Sequence, residues 1–461
     1  MSDIQEYFYQ ILGYFFTAFP FVVMVALGLF LPVFLLMTYN KFRVGMWVIV
    51  GIYLLEALTQ HDVGGLRLGI DLTATDFVFV VIGLVAGLRL LIAKDFPLRH
   101  RAWLLFSLVI LVNLVLGILS YGPTAGVQAR PYYYFMMAGL YGMSFPIDER
   151  CVRQMLNALV ITAIVLMALT IYRWAVYYTP IQSLMPVGGT YNTDGPIRVI
   201  ASNDALILSE VLVGAIFFTS VGRGLKLARL LTPLLFIQVL VLQHRSIWLA
   251  TIVGVVSSFA FAGKNNISAT RQLVLLAFVL SLTSLPMIFS EQVSDVGAQI
   301  GSSAARLAHG ADTTAERLNN WKATISKWYG GGVKSIIIGQ GFGGDSSREV
   351  EDSKGKERKI TYFAHNMYVQ TLYNGGLVGL LAFLSAVVYI IRGLYKLTQT
   401  YTKTTEAQIL LVLMVMQVAY YVPYGTDFLQ SLIFGVALSF VASNLVKRNE
   451  IEPKTQGVQS V

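Results

Sequence analysis

Charge is scarce in this 461-residue sequence: Asp, Glu, Lys and Arg make up 13% of it, against about 25% in soluble domains. With 56% hydrophobic residues and a mean hydropathy of +0.65, it has the composition of an integral membrane protein. Cysteine is scarcer still. The one cysteine, Cys151, rules out a disulfide framework and metal sites of the Cys₄ or Cys₂His₂ kind. The histidines His61, His100, His244, His309 and His365 are not spaced as metal ligands either. Alternating ten-residue strand patterns are missing, which excludes an outer-membrane barrel. There is no P-loop, no Ser-x-x-Lys and no acidic metal motif of a sugar-nucleotide enzyme. No internal repeat is visible. The first residues carry Asp3 and Glu6 but no Lys or Arg, and no small-residue cleavage site follows, so no removable signal peptide is expected.

What is present is a series of apolar runs of roughly 17 to 23 residues, each long enough to cross a bilayer as a helix. Spans are expected at 18–39, 44–59, 75–92, 103–121, 131–145, 155–177, 202–221, 227–241, 246–261, 273–289, 367–391, 407–422 and 428–446. The expected fold is all-α: a polytopic integral membrane helix bundle of about 12–13 spans, forming a single membrane domain over residues 1–461. A preceding segment, 4–16, is aromatic and amphipathic, an interfacial helix or an extension of the first span. The net charge of +9 does not point to nucleic acid, because its placement follows the membrane. Loops of one parity and the span ends beside them, with the C-terminal tail, hold 19 of the 34 Lys and Arg residues. Apart from one long loop, the other loops and their adjoining span ends hold only Arg67, Arg130, Arg173, Arg198 and Arg245. By the positive-inside rule the C-terminus is cytoplasmic and those five arginines face outward. Thirteen spans put the N-terminus outside as well; twelve put it inside.

The long loop, 291–364, lies between the tenth and eleventh spans, on the outer side, and is large enough to cap the bundle. Val296, Ile300, Ala304 and Leu307 recur at helical spacing. Thr313-x-x-Glu316 is a capping box opening a second helix with Leu318, Trp321, Ile325 and Trp328 on one face, ended by Gly330-Gly331-Gly332. A strand-like apolar run follows, then Gly339-Gln340-Gly341-Phe342-Gly343-Gly344, read as a flexible turn rather than an anion-binding nest. The charged stretch 346–359 reads as flexible and solvent-facing.

Where this loop ends, His365 and Asn366 open an apolar span. A histidine at such a boundary keeps water access while resting on a low-dielectric bundle, a setting suited to taking a proton from a hydroxyl. The plainer alternative is that the pair only caps the helix. The outward arginines favour chemistry: Arg198 at the mouth of the seventh span, Arg245 in the tight turn before the ninth, Arg130 just before Pro131 at the start of the fifth, and Arg317 one turn from Trp321 in the loop helix. Each alone could snorkel or pair with Asp194, Asp204 or Glu210. Several guanidiniums converging on one imidazole would suit a pyrophosphate. Glu210, two turns into the seventh span, is the acid most suited to a role. Glu56 and Asp76 read as structural, and Gly375-x-x-x-Gly379 as a close helix contact.

These residues resemble those of the O-antigen ligase and Wzy-type polysaccharide polymerase superfamily of bacterial inner membranes. The resemblance rests on Arg245-Ser246 opening a span, on Glu316-Arg317 through Trp321 to Gly339-x-Gly341, and on His365-Asn366 followed by Gly376-x-x-Gly379; the segment around Arg198 is a looser match. It covers about residues 198 to 380, and the usual span number of the family is twelve. It implies a metal-independent, cofactor-free, inverting glycosyl transfer on the periplasmic side, from an undecaprenyl-pyrophosphate-linked glycan to a sugar hydroxyl on lipid A–core or on another lipid-linked repeat. His365 would activate the acceptor. Arg198, Arg245 and Arg317 would hold the leaving pyrophosphate, with Arg130 nearby and Asn366, Trp321 and Glu210 in secondary roles. Two other classes remain open on the residues alone: a transporter or flippase for a polar or anionic solute, and a non-catalytic assembly subunit.

Overall fold

The structure is a computed structural model that describes residues 33–59, 65–67, 71–92, 101–178, 199–218, 220–221, 223–262, 313–344, 347–351, 357–360, 364–399 and 405–456. Arg198, most of the expected first span, the expected span 273–289 and the loop helix expected near 294–308 lie outside the described residues.

The described chain is an all-α polytopic bundle decorated by two short hairpins. After a helical stretch at 33–40 come α1 (Phe42–Thr59), the antiparallel pair β1 (Gly65–Arg67) and β2 (Asp71–Thr73), α2 (Ala74–Ile92), α3 (Arg101–Tyr121), α4 (Pro123–Met143) and α5 (Glu149–Tyr178). Next are α6 (Ser202–Phe217), α7 (Arg223–Leu230), α8 (Thr232–Val241) and α9 (Arg245–Ala262). The loop region supplies α10 (Thr313–Gly330), α11 (Gly332–Ile338) and the hairpin β3 (Arg348–Glu351) with β4 (Glu357–Ile360). The chain returns to the bundle through α12 (Met367–Gln399), α13 (Thr405–Tyr420) and α14 (Phe428–Gln456). Among the described residues α1, α2, α3, α5 and α12 are long and apolar enough to cross a membrane, and Arg245–Phe261, Thr405–Tyr420 and Phe428–Asn444 are shorter apolar helices.

Small side chains and aromatics set the packing. Helix α4 lies along α14, where Gly435 approaches the Gly139 carbonyl so closely that a Cβ would overlap it. Ser431 and Ser439 of α14 donate to the carbonyls of Phe135 and Phe145. Close backbone approach with hydroxyl bridges is how helices associate where lipid offers no hydrophobic drive. Around this seam Trp103, Phe106, Phe135, Phe383 and Phe434 form a continuous aromatic core, every one of them fully buried.

Several elements depart from the sequence expectation. The expected span 227–241 is bent by 68° between α7 and α8. Pro233, in the first turn of α8, has no N–H to give the carbonyl of Arg229, so the ladder breaks there. Helix α7 buries Leu225 and Ala228 and exposes Arg223, Lys226 and Arg229, the pattern of an interfacial helix. Helix α4 begins at Pro123, a residue suited to a helix start, so Arg130 is an interior helical residue and not the one before a helix start. The strand-like run after Gly332 is helical, as α11. Residues 348–351 and 357–360 pair as antiparallel strands, with Glu349 opposite Lys359 in the register, and Lys327 Nζ donates to the Ser347 carbonyl at 2.7 Å. A pairing of this kind is concealed by a charged composition alone.

The glycine loop after α11 is also not a free turn. Gly339 adopts φ 88° and Gly376, inside α12, adopts φ 64° and kinks that helix. A side chain at Gly339 would overlap the Asn374 carbonyl, and one at Gly376 the Ile337 carbonyl, so the two backbones cross where only glycine fits. Asn113 Nδ2 donates to the Ile338 carbonyl at 2.8 Å, Gln340 N–H to the Tyr373 carbonyl at 2.8 Å, and Gly343 N–H to Gln128 Oε1 at 2.8 Å. Phe342 is buried against Tyr132. The loop is a wedge between α3, α4 and α12. A Cβ added at Gly375 or Gly379 would lie 3.5 or 3.3 Å from Val109 of α3, the close helix contact expected of them.

Helix direction segregates the two ends of the bundle. One end carries the starts of α6, α9, α12 and α14 and the ends of α1, α5 and α13. Arg173 ties it together: it is buried, and its guanidinium donates to the carbonyls of Ala57 at 2.7 Å and Val199 at 2.9 Å. Glu56 accepts from Thr75 Oγ1 at 2.6 Å at the same end, a structural role as expected. The opposite end carries Arg43, Arg101, Arg150 and Arg153 and the basic helix α7.

Candidate functional site

His365 lies between α10 and α12 with φ 48°, one of two non-glycine residues in the left-handed region among the described residues. That conformation costs roughly 1–2 kcal/mol for an L-residue, and such strain persists only where its surroundings over-determine it. They do. Trp321 Nε1–H donates to the carbonyl of the preceding Ala364 at 2.7 Å, and the Ala364 N–H donates to Gln370 Oε1 at 3.1 Å. On the other side Asn366 caps α12, its Oδ1 accepting from Val369 N–H at 3.0 Å. Met367 N–H points at the carbonyls of Tyr421 and Tyr424, each at 3.0 Å. Ala364 and Asn366 are buried while His365 is exposed. The backbone on both sides is pinned, and the imidazole is pushed outward.

A second loop, 421–427, closes on the first. Arg317 Nη1 donates to the Pro423 carbonyl at 3.2 Å. Arg317 and Trp321, one turn apart on α10, thus hold one loop each. The Tyr424 ring lies 5.6 Å from the His365 ring and stacks on Tyr420 at 5.3 Å. Tyr420 Oη–H donates to Asn203 Oδ1 at 2.7 Å, and Asn203 Nδ2 donates to Asp427 Oδ2 at 3.3 Å. Asp427 also caps α14, accepting from Leu429 N–H at 2.7 Å. Between these groups opens a cavity of about 190 Å³, walled by Tyr132, Asn203, His365, Asn366, Gln370 and Thr426.

The sequence-predicted residues sort as follows. Arg245 is the first residue of α9, and next to it Ser246 Oγ lies 3.2 Å from Ser202 Oγ, one residue before the cavity-lining Asn203. The turn leading into it is fixed by Gln243 at φ 52° and by His244 Nε2 at 3.1 Å from the Ile200 carbonyl. His365, Arg317, Trp321, Asn366 and Arg245 therefore all stand on segments that meet at one end of the bundle. Arg130 is engaged with a carboxylate: Nη2 lies 3.0 Å from Asp76 Oδ2, and Asp76 also accepts from Tyr134 Oη at 2.6 Å. Its neighbours Pro131 and Tyr132, not Arg130 itself, are among the described cavity-lining residues. Glu210 is buried within the bundle, accepting from Gln417 Nε2 at 3.1 Å, and is not among them. Arg198 lies outside the described residues.

Sequence reasoning overlooked Asn203, Gln370, Tyr424 and Thr426. Their signal was available in part: Pro423-Tyr-Gly-Thr-Asp427 is a polar, aromatic turn on the same side as His365, and Asn203 follows directly on the Arg198 segment. Among the described residues no three His, Cys, Asp or Glu side chains converge as metal ligands.

Residues 230–384 match the family model described as O-antigen ligase (Wzy_C). The match runs from the end of α7 through Arg245, the loop helix with Arg317 and Trp321, and His365-Asn366 into the first half of α12. It supports an O-antigen ligase- or polymerase-like function in polysaccharide biosynthesis. No curated protein matches the chain.

Proposed function

We propose that this member of the O-antigen ligase family is a lipid-linked oligosaccharide glycosyltransferase. It moves a glycan from an undecaprenyl-pyrophosphate carrier to an acceptor sugar hydroxyl on lipid A–core or on a second lipid-linked repeat. The observation that carries this reading is the strained, doubly pinned His365, which opens onto a cavity at the same bundle end as Arg245 and Arg317. The basic residues gathered at the opposite end support a periplasmic placement of the site and a cytoplasmic C-terminus in a bacterial inner membrane.

The imidazole of His365 takes the proton of the acceptor hydroxyl as its oxygen attacks the anomeric carbon of the donor sugar. The bond to the carrier's pyrophosphate breaks on the opposite face, inverting the centre. Arg245 and Arg317 stabilise the charge that builds on the leaving phosphate oxygens, since guanidinium pairs with phosphate through a fork of N–H donors. One N–H of Arg317 is held by the Pro423 carbonyl. Arg198, by its position in the sequence, would join them. Pyrophosphate leaves readily, so charge stabilisation plus one base suffices for the chemistry. The base supplies about 10²–10⁴-fold. The proton then passes to water, because His365 is exposed.

The test is transfer by purified protein in nanodiscs, given undecaprenyl-pyrophosphate-linked glycan and each acceptor class in turn. Product that disappears in His365→Ala and Arg245→Ala supports the reading. Movement of a solute across the bilayer with no glycan transferred would replace it with a transporter.

A further inference from the structure

The cavity beside His365 differs chemically from the arginines around it. Among the described residues that wall it there is no Lys, Arg, Asp or Glu; the groups facing it are amides, a hydroxyl, aromatic rings and the imidazole. A pyrophosphate has no charged partner there. Two polar groups are also left over. Asn366 is 6% exposed, and its Oδ1 is spent on the helix cap, yet its Nδ2 donates to nothing among the described residues. Thr426 Oγ1 likewise makes no hydrogen bond among the described residues. Neither atom is among the fully enclosed unpartnered side-chain atoms, so both are open to an incoming group, and an unused donor on a residue that walls a cavity offers a place for a ligand's oxygen. At about 190 Å³ the space is small beside the roughly 300–1,000 Å³ of drug-sized pockets. It suits a single six-membered ring.

We propose that this cavity is the acceptor subsite, binding one uncharged sugar ring, with Asn366 Nδ2 and Thr426 Oγ1 as its specificity-determining hydrogen-bond partners. This rests on the transfer reading and adds the class of acceptor to it. Asn366 Nδ2–H donates to the oxygen of the attacking hydroxyl, leaving that hydroxyl's proton directed at His365. Thr426 engages a neighbouring hydroxyl from the loop 421–427. Tyr132 and Tyr424 supply the apolar flank that sugar rings prefer. The donor's pyrophosphate lies outside the cavity, on the arginine side, so the two substrates meet at the imidazole from different directions. A hexuronate in place of the neutral ring would bring a carboxylate into a pocket without a cationic wall and is rejected.

Asn366→Ser and Thr426→Val test this. Serine keeps a capping oxygen for Val369 N–H and removes only the Nδ2 donor; valine keeps the shape of threonine and removes the hydroxyl. Each is expected to raise the acceptor KM about fivefold to tenfold, one hydrogen bond's worth, and to leave the donor KM unchanged. A raised donor KM with an unaltered acceptor KM assigns the cavity to the donor and overturns the proposal. So do wild-type constants for both substrates in both variants, an outcome that leaves the transfer reading intact. A second readout is independent of turnover: saturation-transfer NMR on the full chain in detergent with chitotriose, maltotriose and trigalacturonate. Saturation of a neutral trisaccharide that fades in Asn366→Ser and Thr426→Val supports the subsite even if the wild type transfers nothing, in which case the transfer reading alone falls. Equal saturation of trigalacturonate, or none of either neutral sugar, overturns it.

Discussion

Trp321→Phe isolates the pin on the His365 backbone. The substitution keeps an aromatic ring on the same face of α10 and removes one donor, the Nε1–H that reaches the Ala364 carbonyl at 2.7 Å. Ala364 is fully buried, so water cannot replace that donor. Leaving a buried acceptor unsatisfied costs about 1–3 kcal/mol. The left-handed backbone at His365 stores roughly 1–2 kcal/mol with or without the indole, so it favours relaxation in both proteins and adds nothing to the difference between them. The pinned conformer therefore loses only what the missing bond supplied, and kcat is expected to fall between about 5- and 100-fold. The assay is transfer at saturating donor and acceptor, with KM values and the thermal unfolding midpoint measured on the same preparation. The rate should drop while both KM values and the midpoint hold, because Trp321 is not among the described cavity-lining residues and its indole N–H is spent on one loop carbonyl. A folded variant with the wild-type kcat refutes the pin, and so does a loss expressed only in KM.

Other substitutions separate chemistry from architecture. His365→Gly should lower turnover by about 10²–10⁴-fold while raising stability by about 1 kcal/mol, since glycine occupies φ 48° without strain; a denaturation curve shifted the other way contradicts the strain. Arg245→Lys keeps the charge but not the fork, so the donor KM should rise and kcat fall by about tenfold, and an unchanged kinetic profile would remove Arg245 from phosphate binding. Gly376→Ala forces a side chain into the Ile337 carbonyl at φ 64° and should cut folded yield, read as the monodisperse fraction on size exclusion; normal yield means the wedge is dispensable. Glu210→Gln preserves an acceptor for Gln417 and should retain wild-type transfer, whereas lost activity in folded protein would give that acid a chemical role.

Much of the bundle was legible because its signals are one-dimensional. Apolar length, the start of the loop helix at Thr313 and Asn366 as a helix cap each depend on a few adjacent residues, and α1, α2, α3, α5 and α12 emerge where the runs predict. The failures have a common physical origin in partners distant along the chain. Pro233 breaks a span although apolar character continues through it. The glycine run reads as flexible in isolation, yet φ 88° at Gly339 is locked by a crossing with Gly376, a neighbour supplied by α12. Residues 348–351 and 357–360 pair as two antiparallel strands, which composition does not encode. At the site, His365 and the Trp321 face of α10 were visible as local patterns. Thr426 and Gln370 were not, since a threonine in a turn and a glutamine in a helix become informative only when the fold turns them toward one space. Arg130 illustrates the converse: an outward arginine attractive for phosphate, whose charge is met by Asp76 from a different helix.

The matched segment and the cavity wall divide the site in a way that bears on specificity. The residues proposed for the chemistry, Arg245, Arg317 and His365, fall within 230–384, as do Trp321 and Asn366, which fix the backbone on either side of the imidazole. Of the other wall residues Met367 and Gln370 also fall within it, while Tyr132, Asn203, Tyr424 and Thr426 fall outside, on α4, at the start of α6 and in the loop 421–427. Helix α10 joins the two sets, because Trp321 reaches the first loop and Arg317 the second. A change in loop 421–427 can therefore alter which ring fits without disturbing the pin on His365, provided the Pro423 carbonyl stays in reach of Arg317. Under the proposed acceptor subsite, the choice between a lipid core and a lipid-linked chain is expected to follow the wall residues rather than the catalytic groups. Loop 421–427, exchanged between two such enzymes with Pro423 retained, should carry acceptor preference with it while kcat on the matching acceptor survives.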